Sequence, residues 1–366
     1  MTRRPATRRG RLVLAAVVVL AAAGAWVAYD TFFREEPPPY FASDEEHFLF
    51  GSVGTEAQEG IPYWIWLVLP RIFPEHLPRP GGYASIGVLS MDGHDMPVGL
   101  SKVTIGFPRV GINCAMCHTT SVRTAPDSPR MLVAAGPSNQ TSPQQYLRFL
   151  LKCAADPRFT ADVILAEIAK NHSMSAVERM VYRFVIIPQT RSALLRLNES
   201  ESWMDRNPDW GPGRIDPFNP VKFRYLGQPV DETIGNSDMV PLWNLARHEG
   251  HAYHLDGLNT NLQEVVLSSA IGDGTRAAWV DRDFAKWDNT EPREMSSLRR
   301  IYNYISARQP PKYPFVVRKL ENRQSCPSPY ALYDAAEAFV HMSSRCRSVP
   351  ISSTGITVPV LEPSRS

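Results

Sequence analysis

At 366 residues, 43% of them hydrophobic, the chain has room for one large or two modest domains and enough apolar side chains for a core, which excludes a disordered polypeptide. Formal net charge is only +2, with Lys and Arg scattered among Asp and Glu, so the whole-molecule field gives no case for nucleic acid as a partner. Five cysteines are few for a disulfide scaffold of this length.

In chain order, Arg3, Arg4, Arg8, Arg9 and Arg11 precede an uncharged run from Leu12 to Ala28 built mostly of Leu, Ala and Val. That order predicts an export segment, either a cleaved signal peptide or an uncleaved anchor. Ala23, Gly24 and Ala25 supply the small residues that cleavage needs, whereas Pro37 to Pro39 read as a membrane-proximal linker. Prolines from Pro70 to Pro80 and from Pro208 to Pro220 predict loop, because proline is a poor helix-interior residue. Strand signals are short, at Val103 to Ile105 and Phe315 to Val317. Near-helical apolar spacing predicts helix from Ser142 to Lys170 with a break at Asp156 and Pro157, then from Ser175 to Leu197, Leu262 to Ser269 and Ser296 to Ala307. The fold class that follows is mainly α, rich in loops.

Cys114, Ala115, Met116, Cys117 and His118 spell C-x-x-C-H. At this spacing two thiols reach the two vinyl groups of one haem while the adjacent histidine becomes an axial iron ligand. A zinc half-site would need a second ligand pair, and none follows at comparable spacing. A redox dithiol would need a strand and helix context that 106–113 does not announce. The residues therefore predict one covalently attached haem c held by Cys114 and Cys117, with His118 on the iron. Candidates for the opposite face are Met91, His94, Met96, Met131, His248, His251 and His254. The last three, at three-residue intervals, would also suit a metal if helical, a reading that Gly250 and the turn at Asp256 and Gly257 oppose. Outside the cytoplasm Cys153, Cys326 and Cys346 offer one disulfide, with Cys326 and Cys346 the favoured pair.

Around this motif, Met91 to Lys102 (MDGHDMPVGLSK) and Gly111 to His118 (GINCAMCH) resemble the exported multihaem cytochromes related to di-haem peroxidases and rubber oxygenases. Trp210 to Pro220 is similar to a Gly-Arg-x-Asp-x-Phe-Asn segment of that group, and Ser237 to Asn244, His254 to Gly257 and Leu262 to Glu264 to its later signature. The resemblance spans Gly82 to Tyr304 and implies a cytochrome c-like haem domain. Leu255 stands where the family usually has a tryptophan, and Val265 where the peroxidases have a distal glutamine, so the usual peroxidase residues are missing. Arg214 and Asp216 fit either a contact with haem propionates or a surface turn held by their own ion pair, and Trp210 and Phe218 fit packing beside the porphyrin or in the core. A second haem motif expected soon after Phe315 is absent, which leaves either a divergent one-haem relative or a truncated, frame-shifted second haem domain.

The organisation expected is a signal or anchor plus linker over 1–39, a haem domain over 40–312 with a helical insertion at about 140–200, and a tail over 313–366. The function expected is electron transfer outside the cytoplasm, in the periplasm or anchored in the cytoplasmic membrane, to a redox partner protein. The alternative is a haem oxidoreductase acting on oxygen or peroxide at an open distal face.

Overall fold

The computed structural model describes residues 8–254 and 257–312. Helix dominates and the strands are few and short. The first helix, α1 (Arg8–Phe32), contains the stretch Leu14–Phe32, 19 residues of mean hydropathy 1.7 with no part buried against the protein. By length and composition it can cross a membrane, a test that a signal sequence also passes.

Short helices follow. Ser43 caps α2 (Asp44–Phe50), its hydroxyl accepting from the Glu46 amide at 3.1 Å beneath an acidic first turn. Strand β1 (Ile61–Pro62) leads into α3 (Tyr63–Ile72), which carries Pro70 in its interior. This overturns the expectation of loop there, for a local reason. Pro70 has no N–H for the Trp66 carbonyl, and the Tyr83 hydroxyl donates to that oxygen instead, at 2.7 Å.

Antiparallel pairing places β3 (Phe107–Ile112) between β1 and β2 (Leu100–Ile105), a longer strand than the predicted one. The short pair β4 (Thr119–Val122) and β5 (Met131–Ala134) follows. The long predicted helix is α4 (Pro143–Ala155) and α5 (Ala161–Ile168), broken where expected. Ser175 then caps α6 (Ala176–Val181), which continues through a π turn, Tyr182–Ile186, into α7 (Ile187–Ser200). Pro188 explains the widened turn, because its ring would clash with the Phe184 carbonyl in a regular helix. Strands β6 (Arg214–Ile215) and β7 (Ser237–Asp238) pair across a long loop.

Asn261 caps α8 (Leu262–Gly272), which runs three residues beyond the predicted end. Helix α9 (Ala277–Phe284) lacks a side-chain cap and any clear sequence signal, yet its Asp283 organises the start of α10 (Ser297–Ala307) by accepting from the Ser297 and Leu298 amides and the Ser296 hydroxyl. Arg300 of α10 is buried and donates to Asp44 and to the Phe41 and Ser43 carbonyls, binding the last described helix to α2. One core cluster joins α2, α3, the three-stranded sheet, α4, α5, α8 and α10, and a small satellite gathers Trp203, Met204 and Trp210. The strand expected at 315–317 and the pair Cys326 and Cys346 lie outside the described residues.

Candidate functional site

Strand β3 delivers the chain straight into Cys114–Met116, one 3₁₀ turn, and β4 leaves directly after His118. The strand is thus present where the sequence announced none, while the helix that a redox dithiol uses to lower a thiol pKa is missing. Buried Asn113 sets the turn: its Oδ1 accepts from the Ala115 amide at 3.0 Å and its Nδ2 donates to the Gly51 carbonyl at 2.9 Å. Gly99 admits the motif to the sheet, since a Cβ there would stand 2.4 Å from the Met116 Cα, at a φ of +85° that side chains avoid. The Cys117 carbonyl accepts from the Ser138 amide at 3.1 Å, so the loop after β5 closes the other side.

His118 is oriented by a backbone carbonyl. Its Nδ1 lies 2.7 Å from the Val240 oxygen, which can only accept, so Nδ1 carries the proton and Nε2 keeps its lone pair. Val240 is itself held on both sides, by Met239 N to Gly213 O at 3.0 Å and Leu242 N to Ala135 O at 2.8 Å. Burial lowers the His118 pKa, the Val240 bond opposes this, and the charge of His254 adds to the lowering. The imidazole is therefore neutral at neutral pH, the state a metal ligand requires.

Cys114 and Cys117 are free thiols. Burial first, and the nearby Asp273 carboxylate second, raise Cys117 to about 12 and Cys114 well above the ordinary thiol range. Desolvation alone lifts Asp273, the C-cap of α8, to about 7. Cys114, Cys117, His118 and Asp273 are each half-buried. Their thiols are protonated and poor nucleophiles, which argues against a dithiol redox centre. Nor do the ligand atoms of the two cysteines and His118 gather within 4.8 Å of one another, as ligands of one ion would among the described residues. The motif thus presents two free thiols and a neutral imidazole whose Nε2 keeps its lone pair, with no compact ion site among the described residues.

The other predicted ligands are dispersed. Met91 and Met131 are exposed, Met96 is in the core, and His94 stacks on Phe50 at 4.0 Å. His248 ends a 3₁₀ turn, His251 follows in a bend, and both are exposed, so the three-histidine metal reading fails for want of a helix. His254 is exposed with a left-handed φ of 63°, and of the four candidate histidines it is the one whose charge acts on His118. Arg214 pairs with Asp238 at 2.8 Å and not with Asp216, which is buried and accepts from the Phe218 and Asn219 amides. This corrects the surface ion pair expected between them. Trp210 is buried in the satellite cluster, but Phe218 is 50% exposed and packs in no core. Leu255 lies outside the described residues, and Val265 is buried on α8.

Sequence reasoning missed Asn113, Val240 and Asp273. An asparagine just before a turn is a cap signal and would have exposed the first; a backbone carbonyl far along the chain has no sequence signature. One other group, Glu75, His76 and Asp156, has metal-like spacing, but Arg158 donates to both carboxylates and makes it an ion-pair cluster. A recess of about 460 Å³ between Glu36, Tyr63, Trp64, Asp95 and Lys102 is lined by none of the motif residues. Comparison with family models, with curated proteins and with solved structures returned no match.

Proposed function

We propose that this chain is a c-type cytochrome: one haem attached by thioether bonds to Cys114 and Cys117, its iron bound by His118, carrying electrons outside the cytoplasm from a domain tethered by α1. The observation that carries the reading is the bond from His118 Nδ1 to the Val240 carbonyl, which fixes the tautomer and leaves the Nε2 lone pair for a metal. Bound in this way, a haem supplies reversible one-electron chemistry. The chain's own contribution is a stiff seat: Asn113 shapes the turn, Gly99 lets it approach the sheet, and Val240 stops the imidazole from rotating. Two buried donors, Thr119 Oγ1 directly after the motif and the Trp243 indole N–H three residues after Val240, have no hydrogen-bond partner among the described residues. Such donors cost about 1–3 kcal/mol each when unmet, which favours a ligand bearing oxygen atoms nearby.

A second reading, an oxidoreductase acting on oxygen or peroxide at an open iron face, is favoured by Val265, apolar and buried where the resembling peroxidases have a distal glutamine. Carbon monoxide separates the two: rapid binding to the reduced protein supports the open face, and no binding supports a six-coordinate carrier.

The test of the common core is haem stoichiometry. The full chain, expressed with a c-type maturation system, is expected to gain the mass of one haem and to give one alkaline pyridine haemochrome per polypeptide. Replacing both cysteines (Cys114→Ser with Cys117→Ser) abolishes covalent attachment. A folded, exported chain with no haem mass would sink the reading.

A further inference from the structure

The continuous helix formed by α6, the π turn and α7 turns an apolar strip to solvent. Val177, Met180 and Phe184 are 52%, 58% and 71% exposed, and with Pro188 they recur three or four residues apart on one face. Val185 lies beside them, and α5, tied on by an Arg183 to Asp162 ion pair at 2.7 Å, adds exposed Val163. Contiguous exposed apolar surface on a helix marks an interaction site. The opposite face of the same helix carries buried Tyr182, which packs against Phe107 with ring centroids 6.3 Å apart.

Phe107 adjoins Gly106, the tip of the hairpin between β2 and β3, and this tip also touches α1. A Cβ on Gly106 would stand 2.2 Å from the Thr31 carbonyl oxygen, and the Gly106 amide donates to Arg34 at 2.8 Å. One tip thus contacts the last turn of α1 and the buried side of the helix. The 19 residues of Leu14–Phe32 match a hydrocarbon layer of about 30 Å, at about 1.5 Å per residue, so α1 leaves the hydrocarbon near Phe32. The hairpin tip then stands at headgroup level, and the helix is one side chain away. Arg179 on α6 is exposed and has no partner among the described residues, the charge that a phosphate-rich layer favours.

We infer that the strip Val177, Met180 and Phe184 lies in the headgroup layer of the phospholipid bilayer that α1 enters, a second membrane contact that holds the domain in one orientation. The inference rests on α1 being retained as an anchor. It is tested on the full chain in phospholipid nanodiscs, with a photoreactive p-benzoylphenylalanine at Val19, at Phe184, or at exposed Glu232 on the loop before β7. After irradiation, mass spectrometry is expected to find phospholipid adducts at positions 19 and 184 and none at 232. An adduct at 19 without one at 184, an equal yield at 232, or a probe at 184 that joins residues 313–366 or a second copy overturns the inference and leaves the anchor standing. No adduct at 19 removes the anchor, and the inference falls with it.

Discussion

Two histidines illustrate how burial decides protonation. His118 is half-buried beside a carbonyl that fixes its tautomer, whereas His47 is buried, with its Nε2 2.8 Å from the Ser297 hydroxyl. Desolvation, aided by the nearby Arg300 charge and opposed by the contact with Ser297, lowers His47 from 6.5 to about 3. Between those values the unfolded chain binds more protons than the folded one, so stability falls as pH drops below 6.5 and levels off below 3. His47→Gln keeps a donor for Ser297 and removes the titration. The loss of stability between pH 7 and pH 4.5, read from urea midpoints, is expected to shrink by about 2 kcal/mol; an unchanged loss would mean that His47 already charges in the fold. The C-x-x-C-H spacing can be read from the sequence, because it lies within five consecutive residues. The part of Val240 cannot, because the residue acts through its backbone and is brought to His118 by tertiary structure.

Among the elements, helices with apolar periodicity and a capping residue were legible: Ser175, Asn261 and Ser296 each begin one. Helix α3 was not, because Pro70 reads as a breaker and its remedy comes from outside the element. The Tyr83 ring stacks on Trp66 at 4.5 Å and its hydroxyl takes the carbonyl that Pro70 leaves free. Tyr83→Phe keeps the stack and strands that oxygen, so we expect a loss of about 1–3 kcal/mol in the urea unfolding free energy. Pro70→Ala in the Tyr83→Phe background restores a donor in the helix and should recover much of the loss. A Tyr83→Phe variant as stable as the parent would show that the oxygen finds water. The strand at 100–105 was only half seen for a similar reason, since its length is set by pairing with β3 and not by its own composition.

At the scale of the molecule, α1 meets the rest of the chain at few points. Its last turn touches the hairpin tip at Gly106, and just beyond it the Glu36 amide donates to the Thr104 carbonyl at 3.0 Å, Gly106 donates to the Arg34 carbonyl, and Glu35 bridges Ile105. The stretch Pro37 to Pro39, read as a linker, is therefore preceded by three residues already paired to the hairpin, which ties the domain closely to the end of α1. The cradle around Cys114, Cys117 and His118 draws on Asn113, Gly99, Ser138 and Val240 and on nothing from α1. Replacing residues 1–33 by a cleaved export signal, so that the mature chain begins at Arg34, is thus expected to release the protein into the soluble extracytoplasmic fraction with its haem content per chain unchanged. The released chain keeps its exposed strip at Val177, Met180 and Phe184, and should still associate reversibly with anionic phospholipid vesicles, less so when Met180 and Phe184 are both changed to Asp. Fractionation, pyridine haemochrome and vesicle sedimentation read these three outcomes separately. Haem lost together with α1 would mean that the helix belongs to the folded domain as well as to the membrane, and the division of labour between address and site would have to be redrawn at the hairpin.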